Sequence, residues 1–295
     1  MPRLSGNALG ITLMILATAC FTLNDSLLKL ATDELPPFEA LSLRGLASTL
    51  LGLPLVFLLG FGARAGAMFD RRVGIRNLLE VACALFFVVG LALVPLADLT
   101  ALGQTSPLLL LLGAAVIFRE RLSAMQVVLI VLAFVGALMV AQPGGRDFSP
   151  YVLLGLGSAV AVAVRDIVGR GIPANVPGLV IAVGAGLVTT IGAGAAALLF
   201  ERWVMPSPAT IVFVTGSGAF LVAGHCLLLA AYRSATMSAV APFLYTATIW
   251  ALVSGMVIFG TFPNGLALVG IGVIVISGIA VVMLERWPRK VVVSP

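Results

Sequence analysis

Charge is scarce in this 295-residue chain. Only 10% of its residues are Asp, Glu, Lys or Arg, against about 25% in a soluble globular domain. So few ionised groups cannot solvate a surface of this size, which excludes a water-exposed globular body. Lysine is nearly missing. Lys29 is followed by Leu30 and Lys290 by Val291, so the Gly-Lys-Ser/Thr ending of a phosphate-binding loop does not occur, and nucleotide hydrolysis by that motif is excluded. Histidine occurs once, at His225. A His-based metal cluster is therefore excluded, and a Ser-His-Asp set would have no second histidine to draw on. No metal, no cofactor and no catalytic residue is expected. The three cysteines, Cys20, Cys83 and Cys226, all fall in apolar segments and read as packing residues rather than a disulfide or metal set. The net charge is +5, but no basic run is interleaved with aromatics, so nucleic acid is not the partner.

What is present is apolar: 61% of the residues are hydrophobic and the mean hydropathy is +1.17. A helix crossing a bilayer needs about 20 such residues. The sequence accommodates ten spans, at 9–30, 38–60, 74–94, 98–117, 123–141, 150–170, 178–199, 209–231, 238–259 and 265–284. Helix is required, because an open strand would leave backbone groups unpaired in hydrocarbon. Turn signals part the spans, among them Glu34-Leu35-Pro36-Pro37, Gln142-Pro143-Gly144-Gly145, Met205-Pro206-Ser207-Pro208 and Phe262-Pro263-Asn264-Gly265. The fold class is thus all-α integral membrane, with ten transmembrane helices and lipid as a partner. Arg3 and Ala17-Thr18-Ala19 imitate a signal peptide, but the segment runs on through Asn24-Asp25 and has a counterpart later in the chain. With cytoplasmic termini, the basic residues at 3, 64, 71, 72, 76, 119, 121, 165, 170, 233, 286, 289 and 290 lie inside and those at 29, 44, 146 and 202 outside. That asymmetry obeys the positive-inside rule.

The chain repeats itself. Asn24-Asp25 with Lys29 ends the first span, and Arg165-Asp166 with Arg170 ends the sixth, at an offset of 166 − 25 = 141. The same offset lays Gly45-Leu46-Ala47-Ser48-Thr49 over Gly186-Leu187-Val188-Thr189-Thr190, Phe118 over Phe259, and Ile130 over Ile271. Two units follow, 1–141 and 142–295. Each holds five spans, so the second enters the membrane from the opposite side. Inverted repeats are the architecture of alternating-access transport.

Ionisable and polar groups inside the apolar spans are the candidate site. Asp25 and Asp166 are repeat mates, expected either as gates at opposite mouths or as i,i+4 pairs with Lys29 and Arg170. Arg44 is expected to snorkel or to pair with Asp25. Gln104, Thr105, Ser106 and Pro107 interrupt the fourth span, and Tyr245, Thr246 and Thr248 follow Pro242 in the ninth. Proline frees a carbonyl and kinks a helix, so Gln104, Ser106, Tyr245 and Thr248 are expected to contact a solute near the midplane, with interhelical hydrogen bonding as the alternative. Glu80 and His225 are candidates for solute contact or for carrying protons. Glycines such as Gly184, Gly186, Gly270, Gly272 and Gly278 read as close-packing positions.

The run Leu93-Val94-Pro95-Leu96-Ala97-Asp98-Leu99-Thr100-Ala101-Leu102, then Pro107, Phe118-Arg119-Glu120-Arg121-Leu122, Gln126 and Gly136 resembles the fourth-to-fifth-helix signature of the drug/metabolite transporter superfamily, EamA-type ten-helix branch. The likeness covers nearly the whole chain, with a weaker second copy from Ala231-Tyr232 through Pro242 to Phe259. Gly260-Thr261 stands where that pattern carries an acidic residue after Phe259. Asn24-Asp25-Ser26-Leu27-Leu28-Lys29, Phe38-Glu39, Arg44 and Pro54 are closest to its S-adenosylmethionine-uptake subgroup. The resemblance implies a secondary transporter of a small polar or zwitterionic metabolite in a bacterial inner membrane. A riboflavin importer or an amino-acid or metabolite exporter of the same superfamily is the nearest alternative. A lipid-handling protein, a membrane-embedded enzyme and a structural subunit are alternatives of other classes. A homodimer is compatible with the sequence but not required by it. The inverted repeat favours transport, since one active site gives no reason for two opposed halves. Reporter fusions at both ends should give cytoplasmic signals, and a periplasmic signal at either end would overturn the ten-span map.

Overall fold

The computed structural model describes residues 6–117, 122–142, 149–169, 171–173, 175–235 and 237–285. Ten helices in it are long and apolar enough to cross a membrane. We number them α1 (Gly6–Ala31), α2 (Pro37–Leu58), α3 (Arg71–Leu93), α4 (Leu96–Ile117), α5 (Ala124–Ala141), α6 (Leu153–Gly169), α7 (Gly178–Phe200), α8 (Pro208–Ser234), α9 (Ala241–Phe259) and α10 (Gly265–Glu285). The chain is a multi-pass membrane protein, and the turn signals fall where its helices end.

Local chemistry sets those ends. Pro37 occupies the first turn of α2, where its missing N–H costs nothing. Asp70 caps α3 by accepting from Arg72 N at 2.9 Å. Ser123 and Gln126 close a reciprocal capping box on α5. The interruptions in α4 and α9 are real. Helix α4 stops at Gly103 and resumes at Ser106, and α9 opens with a tighter 3₁₀ turn over Ala241–Tyr245 that contains Pro242.

The helices pair across the two halves rather than within them. The main partners are α1 with α8, α3 with α6, α2 with α7, and α5 with α10. Next come α2 with α8, α3 with α7, α1 with α9, α4 with α6, and α4 with α9. Exchanging each helix for the one five places away maps this set onto itself.

The α2–α7 crossing is the tightest demonstration. A Cβ on Gly45 would lie 2.9 Å from Thr190 N and 3.0 Å from Gly186 O, and one on Gly186 would lie 2.8 Å from Thr49 Oγ1. The contact is reciprocal between positions 141 apart, and only glycine lets the two backbones meet there. At Gly278 the phenol of Tyr245 fills the space a side chain would take, whereas a Cβ on Gly272 would meet nothing within 4 Å. Gly272 therefore does not serve the close packing expected of it.

Lys29 does not pair with Asp25. Its Nζ donates to Val94 O at 2.9 Å and to Leu91 O, and it lies 5.7 Å from the Phe259 ring centroid. The reason is proline. In a continuing helix Leu91 O would accept from the N–H of residue 95, but Pro95 has none. The ammonium supplies the missing donor and sits at the negative end of the α3 dipole. Replacing this charged donor should cost about 2 kcal/mol. Lys29→Met should therefore unfold at a clearly lower temperature than the parent in detergent, and an unchanged melting curve would refute the capping role.

Candidate functional site

Four helices contribute charged or titratable groups to one cavity of about 290 Å³. Asp25 comes from α1, Arg44 from α2, Arg76 and Glu80 from α3 and His225 from α8, with Thr189 of α7 and Ser158 of α6 completing its polar wall. Six pairs of lining positions are separated by 141 residues: Phe21 and Val162, Arg44 and Ala185, Gly45 and Gly186, Ser48 and Thr189, Glu80 and Leu221, Ala84 and His225. The cavity is therefore lined in part by positions that recur at the offset of 141 expected from the sequence. Three of those pairs set an ionisable side chain against an apolar one, so matched backbones carry unmatched chemistry.

Glu80 holds the charged wall together. Its Oε2 is 2.8 Å from Arg76 Nη2, one turn away, and 2.8 Å from Arg165 Nη1 on α6. Arg165 also reaches Asp166 Oδ1 at 2.8 Å. The side chains of Arg76, Arg165 and Glu80 are 18%, 17% and 25% exposed, so each charge is neutralised inside the bundle. Asp25 accepts from Asn24 Nδ2 at 2.8 Å, and Ser217 Oγ holds Asn24 through its Oδ1 and carbonyl. Arg44 Nε is buried and has no hydrogen-bond partner among the described residues. His225 Nδ1 lies 2.8 Å from Leu221 O. A carbonyl only accepts, so Nδ1 carries the proton in this contact and Nε2 is the ring's acceptor. The ring stands edge-on to Phe21, with centroids 5.1 Å apart.

A second cavity of about 350 Å³ lies beneath the α6–α7 corner and shares Arg76, Ala182 and His225 with the first.

The structure brings together Glu80, His225, Asp25 and Arg44 from the expected set. It takes the others elsewhere. Asp166 is bound by Arg165, its neighbour, and the expected partner Arg170 lies outside the described residues. Gln104, Ser106, Tyr245 and Thr248 do not line this cavity. Gln104 Nε2 donates to Leu244 O at 3.2 Å, joining the break in α4 to the break in α9. Tyr245 is 3% exposed and packed on Gly278, and Thr248 is 1% exposed. Gln104 is thus spent on a contact between helices, whereas Tyr245 Oη and Thr248 Oγ1 are buried with no hydrogen-bond partner among the described residues. Arg76, Arg165, Ser48 and Thr189 were missed as site residues. The first two read as orientation charges, although Arg76 and Glu80 stand at i,i+4 spacing. The last two were visible as the hydroxyl of the repeated Gly-Leu-x-hydroxyl-Thr segment.

Comparison with known proteins agrees with this architecture. Residues 8–142 match the EamA-like transporter family. The S-adenosylmethionine uptake transporter of Rickettsia prowazekii is 25% identical over 280 residues, covering 94% of this chain and 93% of that protein. An uncharacterized transporter of Helicobacter pylori is 22% identical, covering 93% and 94%. The pseudopaline exporter of Pseudomonas aeruginosa is 30% identical over 168 residues, or 55% of this chain and 58% of that one. A crystal structure 21% identical in sequence superposes with a TM-score of 0.64, covering 93% of this chain and 98% of the other. The family match lies in the first part of the chain, and relatives named as transporters align over nearly its whole length, which supports a likeness to the EamA-type branch of the drug/metabolite transporter superfamily. The family match and the transporter-named relatives point to a non-enzymatic transporter of a small molecule.

Removing one partner of a buried ion pair leaves the other charge uncompensated, which costs about 3–5 kcal/mol. Glu80→Ala strands the Arg76 guanidinium and leaves Arg165 with Asp166 alone, and should lower stability by about 3 kcal/mol in denaturation of the purified protein. Equal stability of the parent and Glu80→Ala would show that the triad is not needed for folding.

Proposed function

We propose that this protein carries a zwitterionic metabolite by alternating access between two inverted halves, 1–141 and 142–295, with both termini in the cytoplasm of a bacterial inner membrane. S-adenosylmethionine is the first solute to test. The observation that carries the proposal is the charge balance of a cavity lined by repeat mates. Arg44 and Arg76 line it with Asp25 and Glu80, and Arg165 and Asp166, which do not line it, complete the adjoining ion-pair cluster, three charges against three. The triad around Glu80 is neutralised internally, while Arg44 and Asp25 line the cavity without an ion pair to each other. A solute with a carboxylate and a cationic group satisfies both; S-adenosylmethionine carries such a pair at its amino-acid end, and its sulfonium adds one further positive charge. A singly charged solute would satisfy one and strand the other. Phe21 and Phe87 add aromatic surface for a flat or apolar portion.

Relatives named for S-adenosylmethionine uptake align over nearly the whole chain, which supports import of that solute class. The partial match to a pseudopaline exporter favours the opposite direction as the second reading. The helix pairing that survives exchange of the halves supports the inverted repeat.

Labelled S-adenosylmethionine, with unlabelled amino acids as competitors, should enter proteoliposomes of the purified protein saturably. A hydrogen bond to a charged group contributes about 1.5–3 kcal/mol, or roughly tenfold to a hundredfold in affinity. Arg44→Gln and Asp25→Asn should each raise the half-saturation concentration by that factor, while Gln104→Ala leaves it near the parent value. Parent affinity in both Arg44→Gln and Asp25→Asn would remove the cavity from the transport path.

A further inference from the structure

The corner between α1 and α2 is fastened to the corner between α7 and α8 by three carboxylates. Glu201 accepts from Phe38 N at 2.9 Å and from Glu39 N at 3.0 Å, the first free amides of α2. Glu39 Oε2 accepts in return from Val204 N at 2.9 Å. Glu34 accepts from Ser207 N and Ser207 Oγ, both at 2.7 Å, and from Thr210 Oγ1, at the start of α8. Every one of these bonds joins the first half of the chain to the second. Each uses a carboxyl oxygen as acceptor at or beside a helix N-terminus, where the helix dipole favours negative charge.

The opposite face is fastened by different chemistry. There Arg64 Nη1 donates to Asn175 O at 2.7 Å and Arg72 Nη1 to Gly171 O at 2.8 Å. Guanidiniums do not lose their protons in the ordinary pH range. Acid can therefore remove acceptors on one face and nothing comparable on the other.

We propose that Glu34, Glu39 and Glu201 form the gate of the α1–α2 face, and that acid on that face opens it by protonating the carboxylates that hold it shut. In the orientation proposed above, this is the non-cytoplasmic side. The other charged groups at the gate are Asp33 on the α1–α2 corner and Arg202 on the α7–α8 corner. Arg202 makes no ion pair among the described residues. Glu39 is completely buried and its Oε1 has no partner there, so the gate is held by hydrogen bonds and not by an ion pair among the described residues. Hydrogen bonds from the Thr210 and Ser207 hydroxyls, then from Ser207 N–H, hold the Glu34 carboxyl below its ordinary range. A lowered carboxyl favours the closed gate at pH values above its unperturbed range, and that preference fades as pH falls through the lowered value.

Opening exposes backbone amides, so hydrogen exchange reads it directly on the full-length native chain in lipid nanodiscs, with no solute present. Exchange rates corrected for the intrinsic pH effect should show protection steady from pH 7.5 down to the ordinary carboxylate range, about 4–4.5, and falling below it in peptides covering residues 34–41 and 201–210. The fall should reach up to about tenfold per pH unit for each proton taken up. Protection over residues 61–70 should hold steady. Glu201→Gln and Glu34→Gln should lose protection in the same two peptides already at pH 7.5, with a flatter pH response. Protection independent of pH, or lost equally at both corners, would overturn the gate, as would a full native pH response in both variants. A failed solute assignment would leave this readout unchanged.

Discussion

Glu80 between Arg76 and Arg165 is the contact on which the interior of this protein depends. A bundle with so few charges has no water at hand to stabilise an ion buried between its helices, so each must find its counter-charge from a neighbour. Glu80 takes one guanidinium from its own helix and one from α6 at 2.8 Å each. That ties α3 to its main partner across the two halves. Because Arg165 is shared with Asp166, the cluster closes on itself. Asp25 and Arg44 then remain as the charged groups of the cavity that are not consumed by structure.

The cavity combines a symmetric scaffold with an asymmetric lining. Gly45 and Gly186 bring α2 and α7 into backbone contact, and the lining positions around them come in repeat-related pairs. If the halves exchange conformations, the same central groups face first one aqueous phase and then the other. The one-sided chemistry, Arg44 against Ala185 and Glu80 against Leu221, means that the solute keeps its charged contacts while the access route changes. The two faces are then free to be closed by unlike means, carboxylates on amides at one and guanidiniums on carbonyls at the other.

Much of this was legible in the sequence, because the bilayer reduces the problem to length and hydropathy. The ten spans differ from the observed helices by three residues or fewer at each end. The breaks near Pro107 and Pro242 were visible for the same local reason, a missing N–H. The fate of the freed polar groups was not. Whether Gln104 meets a solute or the carbonyl of Leu244 depends on which helix lies opposite, and a single sequence does not state that. Lys29 shows the same limit. Its spacing from Asp25 suggested a local pair, but Pro95, 66 positions beyond Lys29, had already left Leu91 O without a donor. Arg76 and Arg165 were counted as orientation signals because their number at helix ends is informative, while their pairing through Glu80 is tertiary.

The central claim is that the cavity at the meeting of the two halves is the solute site reached from both faces. Ser48 and Thr189 line it as repeat mates, and a cysteine at each, in a chain otherwise free of cysteine, reports access. A membrane-impermeant maleimide applied to either face of oriented proteoliposomes should label both positions, and a transported solute should protect both. Labelling from one face only, or labelling that a transported solute leaves untouched, would contradict the account.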